Sequence, residues 1–481
     1  MKKNYIEQKK SCVFFCPTHP TSLYKMLQIA ASIKINLPIV FVILNDYVAK
    51  NSHLIKEAGF ESIYVKAFNS DLQQNQTEHL RLKKTIEIKT YLGQLIEPVK
   101  KSTLLRPIRE FKQKRFIATL QADLIREYEI KIDDIQNLFK DFSPQVIISS
   151  SDRVLGHLCC LLSEAKDRKI PIIIPPIAIV SGAREMAENR YRKGDVDLLT
   201  NKSVLDEEFP EQFYHTHNGE KVSFFKSWMI KPLSQLDVLP QFPWRYGESY
   251  ADYVLLDNKL QKERCINDKT MPEKLKVVGD TELDELFNNW SKCTQTSIHK
   301  KTTTQKKVII ALPQLYEHGL LNFEDQWQLV NDLCLGVVQH ELECTLSLHP
   351  KMPLKRYKDL ENISGVYINT EPLRNILPRA DIFIASNGST TWLWAALCGI
   401  PTVLCDWSGL NYDFIEDEKL GIQIIRSKQE YPIFLSKLIN NNDFFKQQQK
   451  LQLNALDSLA KFDGKASLRI SKFINKLSSN N

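Results

Sequence analysis

No stretch of the chain is apolar for long enough to cross a bilayer, so an integral membrane protein built on helical spans is not expected. None of the ten cysteines forms a C-x-x-C pair. Cys12 with Cys16 and the neighbours Cys159 and Cys160 sit inside apolar runs, which suits buried thiols of a reducing compartment better than disulfides or a zinc cluster. Short-period repeats are absent, and the single low-complexity stretch lies at 291–307. After the basic start from Met1 to Lys10, the apolar run is broken by Pro17, His19 and Pro20, too early for a secretory signal. These absences leave a cytoplasmic protein that can still touch the inner face of a membrane.

The formal charge is +7, and it is concentrated. Between Arg81 and Arg115 stand eleven basic residues against Glu87, Glu97 and Glu110. Such a helical surface suits anionic lipid head groups or a polyanionic glycan, and is equally compatible with a solvated face. Nucleic acid is not an expected partner, because the stretch lacks a reading motif and interleaved aromatics. His215 and His217 have no third ligand at metal-binding spacing, so no metal is expected.

A chain of 481 residues should form two or three domains. Short apolar runs at Cys12 to Cys16, Pro38 to Leu44 and Ser62 to Val65, separated by helical patterns, open a doubly wound parallel sheet. From Leu72 to Phe142 the pattern turns helical. Strand patterns return at Gln145 to Ser149, Ile170 to Ile174, Ala251 to Asp257 and Lys274 to Gly279, whereas 181–243 carries little readable signal. After a Ser/Thr/Lys-rich linker at 291–307 the β-α alternation restarts from Lys307. The fold expected is α/β with two Rossmann-like domains facing across a cleft: 1–290 with a helical insertion near 72–142, then 308–465, and a C-terminal helix and tail at 466–481.

The clearest unit is Asp381 to Asp406. An apolar strand, the turn Asn387-Gly388, hydroxyls at Ser389, Thr390 and Thr391, and an apolar helix closed by Gly399 and Pro401 make a β-α-β crossover. Exposed amides at the helix start could receive a phosphate there. An ordinary capped helix is the competing reading.

Four places resemble the GT-B superfamily of nucleotide-sugar enzymes, in the branch of UDP-N-acetylglucosamine 2-epimerases and bacterial polysaccharide glycosyltransferases. Thr18-His19-Pro20 with Lys25-Met26 is similar to the epimerase T-R-P-E-x-x-K-M loop. Ser151-Asp152, the following helix and Lys169-Ile170-Pro171 resemble its G-D-T, helix, I-P arrangement. Val277 to Asp284 is close to V-T-G-N-T-x-x-D, and Phe462 to Ile470 to D-G-K-A-x-x-R-I. The epimerase acid-base residues are missing: Ile172 to Ala183 holds no carboxylate or histidine, and Leu312 to Gly319 and Ser386 to Ala395 replace two further family motifs.

The resemblance therefore implies a glycosyltransferase acting on a surface-polysaccharide or lipid-linked acceptor. The alternatives are a nucleotide-sugar 2-epimerase and a non-catalytic binding protein on the same fold. The nucleotide sugar would be a co-substrate, with no resident cofactor. His19 is the candidate base toward the acceptor, with Asp152 as alternative or partner. His349, with Lys351 after Pro350, would meet the leaving phosphate. Glu317, His318, Gly319, Glu371, Asn387, Gly388, Ser389, Thr390 and Asp406 complete the expected donor site.

Overall fold

The computed structural model describes residues 9–65, 106–177, 182–192, 196–199, 204–216, 218–297, 306–312, 314–349, 352–386, 389, 391–408, 421–456 and 461–479. Most of the basic stretch from Arg81 to Arg115, and the helical pattern expected before Arg106, fall outside them. The chain forms two compact units: Met1–Leu255 with Glu263–Lys276 and Lys472–Asn481, and Leu256–Lys262 with Val277–Ser471. Among the described residues no helix is long and apolar enough to cross a membrane.

The first unit is built on strands β1 (Lys10–Cys16), β2 (Ile39–Ile43), β3 (Glu61–Tyr64), β4 (Phe142–Ser149), β5 (Ile172–Ile174), β9 (Tyr253–Leu256) and β10 (Leu275–Val277), in the order β10-β9-β5-β4-β1-β2-β3. Cys12 to Cys16 are at most 1% exposed, so both faces of β1 are covered and its sequence reads as an unbroken apolar run. β1 pairs in parallel with β2 on one side and β4 on the other. The chain thus builds outward from β1 in one direction, then returns to build in the other. That reversal between β1 and β4 is where a doubly wound sheet opens a crevice at its carboxyl edge.

Three helices frame that edge: α1 (Pro20–Ser32), α2 (Arg106–Asp141) and α3 (His157–Asp167). α2 runs 36 residues and packs on α3. The weakly patterned 181–243 region contains a small antiparallel sheet of β6 (Leu198–Leu199), β7 (Phe213–His215) and β8 (Lys221–Ser223), in the order β6-β8-β7.

The second unit carries a six-stranded parallel sheet of β11 (Val308–Ala311), β12 (Cys344–Ser347), β13 (Val366–Asn369), β14 (Ile382–Ser386), β15 (Thr402–Cys405) and β16 (Gln423–Ile425). Its order is β13-β12-β11-β14-β15-β16, which puts the reversal between β11 and β14. Val308 and Ile310 point into one buried cluster with Val330, Leu333 and Leu346. Ile309 and Ala311 point into another with Phe383, Ala385 and Leu404. The alternation has period two, yet both faces are apolar, because helices cover each side.

The helices of this unit that concern the site are α4 (Thr281–Ser297), α5 (Phe323–Val338), α6 (Trp392–Leu397) and α7 (Ala466–Ser478). Two boundaries differ from expectation. Residues 291–297, expected in the linker, are the last turns of α4. The second unit begins its main segment at Val277 and not at 308, because Leu283 and Leu286 of α4 belong to its core. α7 starts in the second unit and ends in the first.

Candidate functional site

At the first unit's reversal, three loops leave the carboxyl ends of β1, β2 and β4 and are tied to one another. The Thr18 amide donates to Ser150 Oγ at 3.0 Å, the two hydroxyls lie 2.9 Å apart, and Asn45 Nδ2 donates to the Thr18 carbonyl at 3.2 Å. Beside them is a pocket of ≈ 220 Å3 lined by residues that include Pro17, Thr18, Asn45, Lys131, Gly156 and His157.

Pro17 lies just past the end of β1, and Pro20 starts α1 with a fixed φ and no amide to satisfy. His19 is the N-cap of that helix. Its Nδ1 accepts the Thr21 amide at 3.1 Å, while Ser22 Oγ accepts the His19 amide at 3.0 Å. A neutral imidazole whose Nδ1 lone pair is committed to an amide carries its proton on Nε2, which is then a donor. The ring expected to act as a base is placed as a cap.

Asp152 differs further from expectation. It is 1% exposed, and its Oδ2 accepts the amides of Ser249 at 3.0 Å and Tyr250 at 3.2 Å. Burial pushes its carboxyl above the usual range, against the pull of Arg153 and of those amides. Through Oδ2 the carboxylate pins the 249–250 backbone, while its Oδ1 is buried with no hydrogen-bond partner among the described residues.

Two residues of the pocket's surroundings were not singled out by pattern. His157 opens α3, and its Nε2 lies 3.0 Å from Asp134 Oδ2 on α2. Lys131, one turn before Asp134, forms an ion pair with Glu127 and lines the same pocket. The available signal was Gly156-His157 just beyond the end of β4, where Gly156 takes φ +94° at the helix start.

In the second unit the expected donor residues fall on one rim. Glu317, His318 and Gly319 follow β11, His349 follows β12, Glu371 follows β13, Ser389 follows β14 and Asp406 follows β15. His349 and Ser389 are separated by β11, two strand spacings or about 10 Å laterally. Lys351, Asn387, Gly388 and Thr390 lie outside the described residues.

Glu317 is engaged from several sides. Its Oε1 accepts Tyr357 Oη at 3.1 Å and Arg356 Nη1 at 3.2 Å, and Gln326 Nε2 reaches its Oε2 at 3.4 Å. Burial and the nearby Glu317 carboxylate both raise the Tyr357 phenol. Gln326 Oε1 also holds the Tyr316 amide at 2.7 Å, so the network fixes the loop after β11. Within that loop Gln314 Nε2 and His318 Nε2 are 2.9 Å apart, and Gly319 turns the chain at φ +69°. Glu371 is exposed, with its amide on Asn369 Oδ1 at 3.2 Å.

The start of α6 departs from the expected cap. Thr391 is the N-cap, and its own side chain makes no capping hydrogen bond. Ser389 Oγ instead lies 2.9 Å from Thr391 Oγ1 and accepts the Thr391 amide at 3.4 Å. With six residues, α6 sums few peptide dipoles, so its field is weaker than that of a full helix.

The motifs at Val277 to Asp284 and Phe462 to Ile470 meet in the second unit. Asp284 accepts the amides of Ala466 and Ser467 and the Ser467 hydroxyl, each at 2.8 Å, and so caps α7. Arg469 donates through Nε to the Val278 carbonyl at 2.6 Å and grips Asp463. Gly279 takes φ +89°, and a Cβ there would stand 3.0 Å from Ala466 Cβ and 3.1 Å from Arg469 Nη2. Both motifs are thereby accounted for by one helix start.

No family model matches the chain, and no curated protein does. Among solved structures, the UDP-GlcNAc 2-epimerase of Neisseria meningitidis bound to UDP-GlcNAc is 11% identical, with 98% of this chain and 100% of that chain covered and a TM-score of 0.48. A variant of the wall teichoic acid polymerase TagF is 12% identical over 98% of this chain and 89% of that one, with a TM-score of 0.47. Anabaena HepE in complex with UDP and glucose is 11% identical over 98% and 100%, with a TM-score of 0.45.

Proposed function

We propose that the protein is a glycosyltransferase that moves a sugar from a nucleotide-activated donor to a hydroxyl of a glycan or lipid-linked acceptor in surface-polysaccharide assembly. The observation that carries this reading is the gathering of the expected donor residues after β11, β12, β13, β14 and β15, along the carboxyl rim of one parallel sheet. A nucleotide lying on that rim would present its phosphate toward the loops after β11 and β14. His349, half-buried past β12, is the side chain proposed to meet the departing phosphate, on which negative charge grows as the glycosidic bond breaks.

The nucleotide sugar is a co-substrate in this scheme, and the chemistry calls for no resident cofactor. A 2-epimerase would need a base and an acid beside the sugar ring, and the segments that supply them in that family carry other residues in this chain. Peripheral contact with anionic lipid, through the basic stretch between Arg81 and Arg115, belongs to the same proposal, as does a cytoplasmic location.

Calorimetry with UDP, CMP, CDP and GDP tests donor binding, followed by nucleotide release from the matching sugar donors. Micromolar binding of one nucleotide, weakened at least tenfold by H349A, is the expected result. Absence of binding to all four would overturn the reading, and solvent deuterium appearing at the sugar C2 position would turn it toward epimerisation.

A further inference from the structure

The pocket beside β1 and β4 contains a charge arrangement unlike that of a phosphate site. Lys131 is paired with Glu127, and Asp134 holds the neutral His157, so the lysine charge beside the pocket is already matched by a carboxylate. Pro17, Leu44 and Val154 give it apolar walls, while Thr18 and Asn45 are held in place by their own hydrogen bonds. At ≈ 220 Å3 it is smaller than the roughly 300 Å3 lower end of sites for drug-sized ligands. A single neutral ring bearing hydroxyls fits that combination of size, wall and charge better than a phosphate or a nucleotide.

His157 is the group in this pocket with a free chemical role. Its side chain is 5% exposed and that of Asp134 15%. An ionised carboxylate can only accept, so the proton between them sits on His157 Nε2 and the lone pair of the neutral ring is on Nδ1. Burial holds the imidazole below the ordinary histidine range. The Lys131 charge acts in the same direction, while the hydrogen bond and charge of Asp134 and the charge of Glu127 act against it. These three groups of α2 are the charged neighbours of the ring, and burial outweighs the two carboxylates, which leaves it neutral near pH 7.

We propose that His157, oriented by Asp134, is the general base of this pocket and accepts the proton of a sugar or polyol hydroxyl bound there. The inference rests on the glycosyl-transfer reading and names the acceptor class for it. As the hydroxyl proton moves to Nδ1, the acceptor oxygen forms a bond to the donor's anomeric carbon. The bond from that carbon to the phosphate oxygen breaks, and its electron pair leaves with the nucleotide. The imidazolium, steadied by Asp134, then returns its proton to solvent. Asp134 is a positioning residue, since it acts through the ring.

The test uses the full chain, UDP-, CMP-, CDP- and GDP-linked sugars as donors, and p-nitrophenyl glycosides as neutral acceptors. H157Q and H157N should lower transfer about 100- to 1000-fold, within the span of a general base, while donor-nucleotide affinity stays within twofold. Amide hydrogen-exchange protection of β4 and α3 in the first unit, unchanged from wild type, reports that each variant is folded around the pocket. D134N should lower transfer about tenfold or more and move the acid limb of the pH profile to lower pH, because the carboxylate that favours the imidazolium is gone. In histidine-labelled protein, imidazole nitrogen NMR should find His157 protonated on Nε2 in the wild type.

Transfer by both His157 variants within threefold of a working wild type would overturn the inference and leave the proposed function standing. A ring protonated on Nδ1 would overturn it as well. A wild type that releases no nucleotide from any donor would remove the glycosyl-transfer reading, and the base assignment with it.

Discussion

Replacing Asp284 by alanine strips three hydrogen bonds from the start of α7 at once. The carboxylate is 9% exposed and holds the Ala466 and Ser467 amides and the Ser467 hydroxyl, each at 2.8 Å. A bond to a charged acceptor contributes about 1.5–3 kcal/mol net, and loss of a helix cap about 0.5–2 kcal/mol. The three bonds share one side chain and water can reach the half-buried Ser467, so they do not sum; a loss of about 2–4 kcal/mol is expected. Because the chain has two units, one global unfolding free energy is not a sound readout. Amide hydrogen exchange of the 466–478 peptide reads the local opening instead. At about 1.4 kcal/mol per tenfold, protection should fall roughly 30- to 1000-fold in D284A. S467A, which removes only the hydroxyl, should lower it tenfold at most. Protection in D284A within threefold of wild type would refute the capping argument.

At His19, a cap and a base predict different rescues. H19A should cost about 1 kcal/mol of first-unit stability in thermal melts and H19N close to nothing, since asparagine caps as well; transfer activity that H19N fails to restore would argue for a chemical role after all. G336A places a methyl against the ring of the buried Tyr431, whose hydroxyl donates to the Leu333 carbonyl at 3.0 Å, so the second unit should lose about 2 kcal/mol or more; an unchanged melting midpoint would contradict that packing. The buried His157 has a pKa below its ordinary value of 6.5, so the unfolded chain takes up the proton first as pH falls. Its contribution to stability is complete above pH 6.5 and is lost as pH falls through the folded value, and H157Q should flatten that part of a urea-midpoint titration between pH 7.5 and 5.

The patterns that could be read along the chain were those with a local cause. Cys12 to Cys16 and Ile382 to Ala385 are apolar on both faces of a strand, and that shows as an unbroken run wherever helices cover both sides of a sheet. The two α/β units and the carboxyl-edge position of His349 and Glu371 followed from that signal and from the helix stops after each run. The Ser/Thr/Lys-rich composition at 291–307 misled at its start, because α4 is fixed by Leu283, Leu286 and Trp290 upstream and carries its polar tail along.

What tertiary structure decided was adjacency. Periodicity contains no information on which strand pairs with which, so the placement of β4 against β1, and hence the pocket between their loops, emerges only from pairing. Asp134 and His157 lie 23 residues apart, and Asp284 and Ala466 182 apart. No spacing rule links such residues; their meeting depends on how helices pack. The same packing gave His19 Nδ1 to the start of α1 and Asp152 Oδ2 to the 249–250 backbone. Residue type and order set the two sheets and the chemistry on offer, and the folded chain chose which of those groups come together.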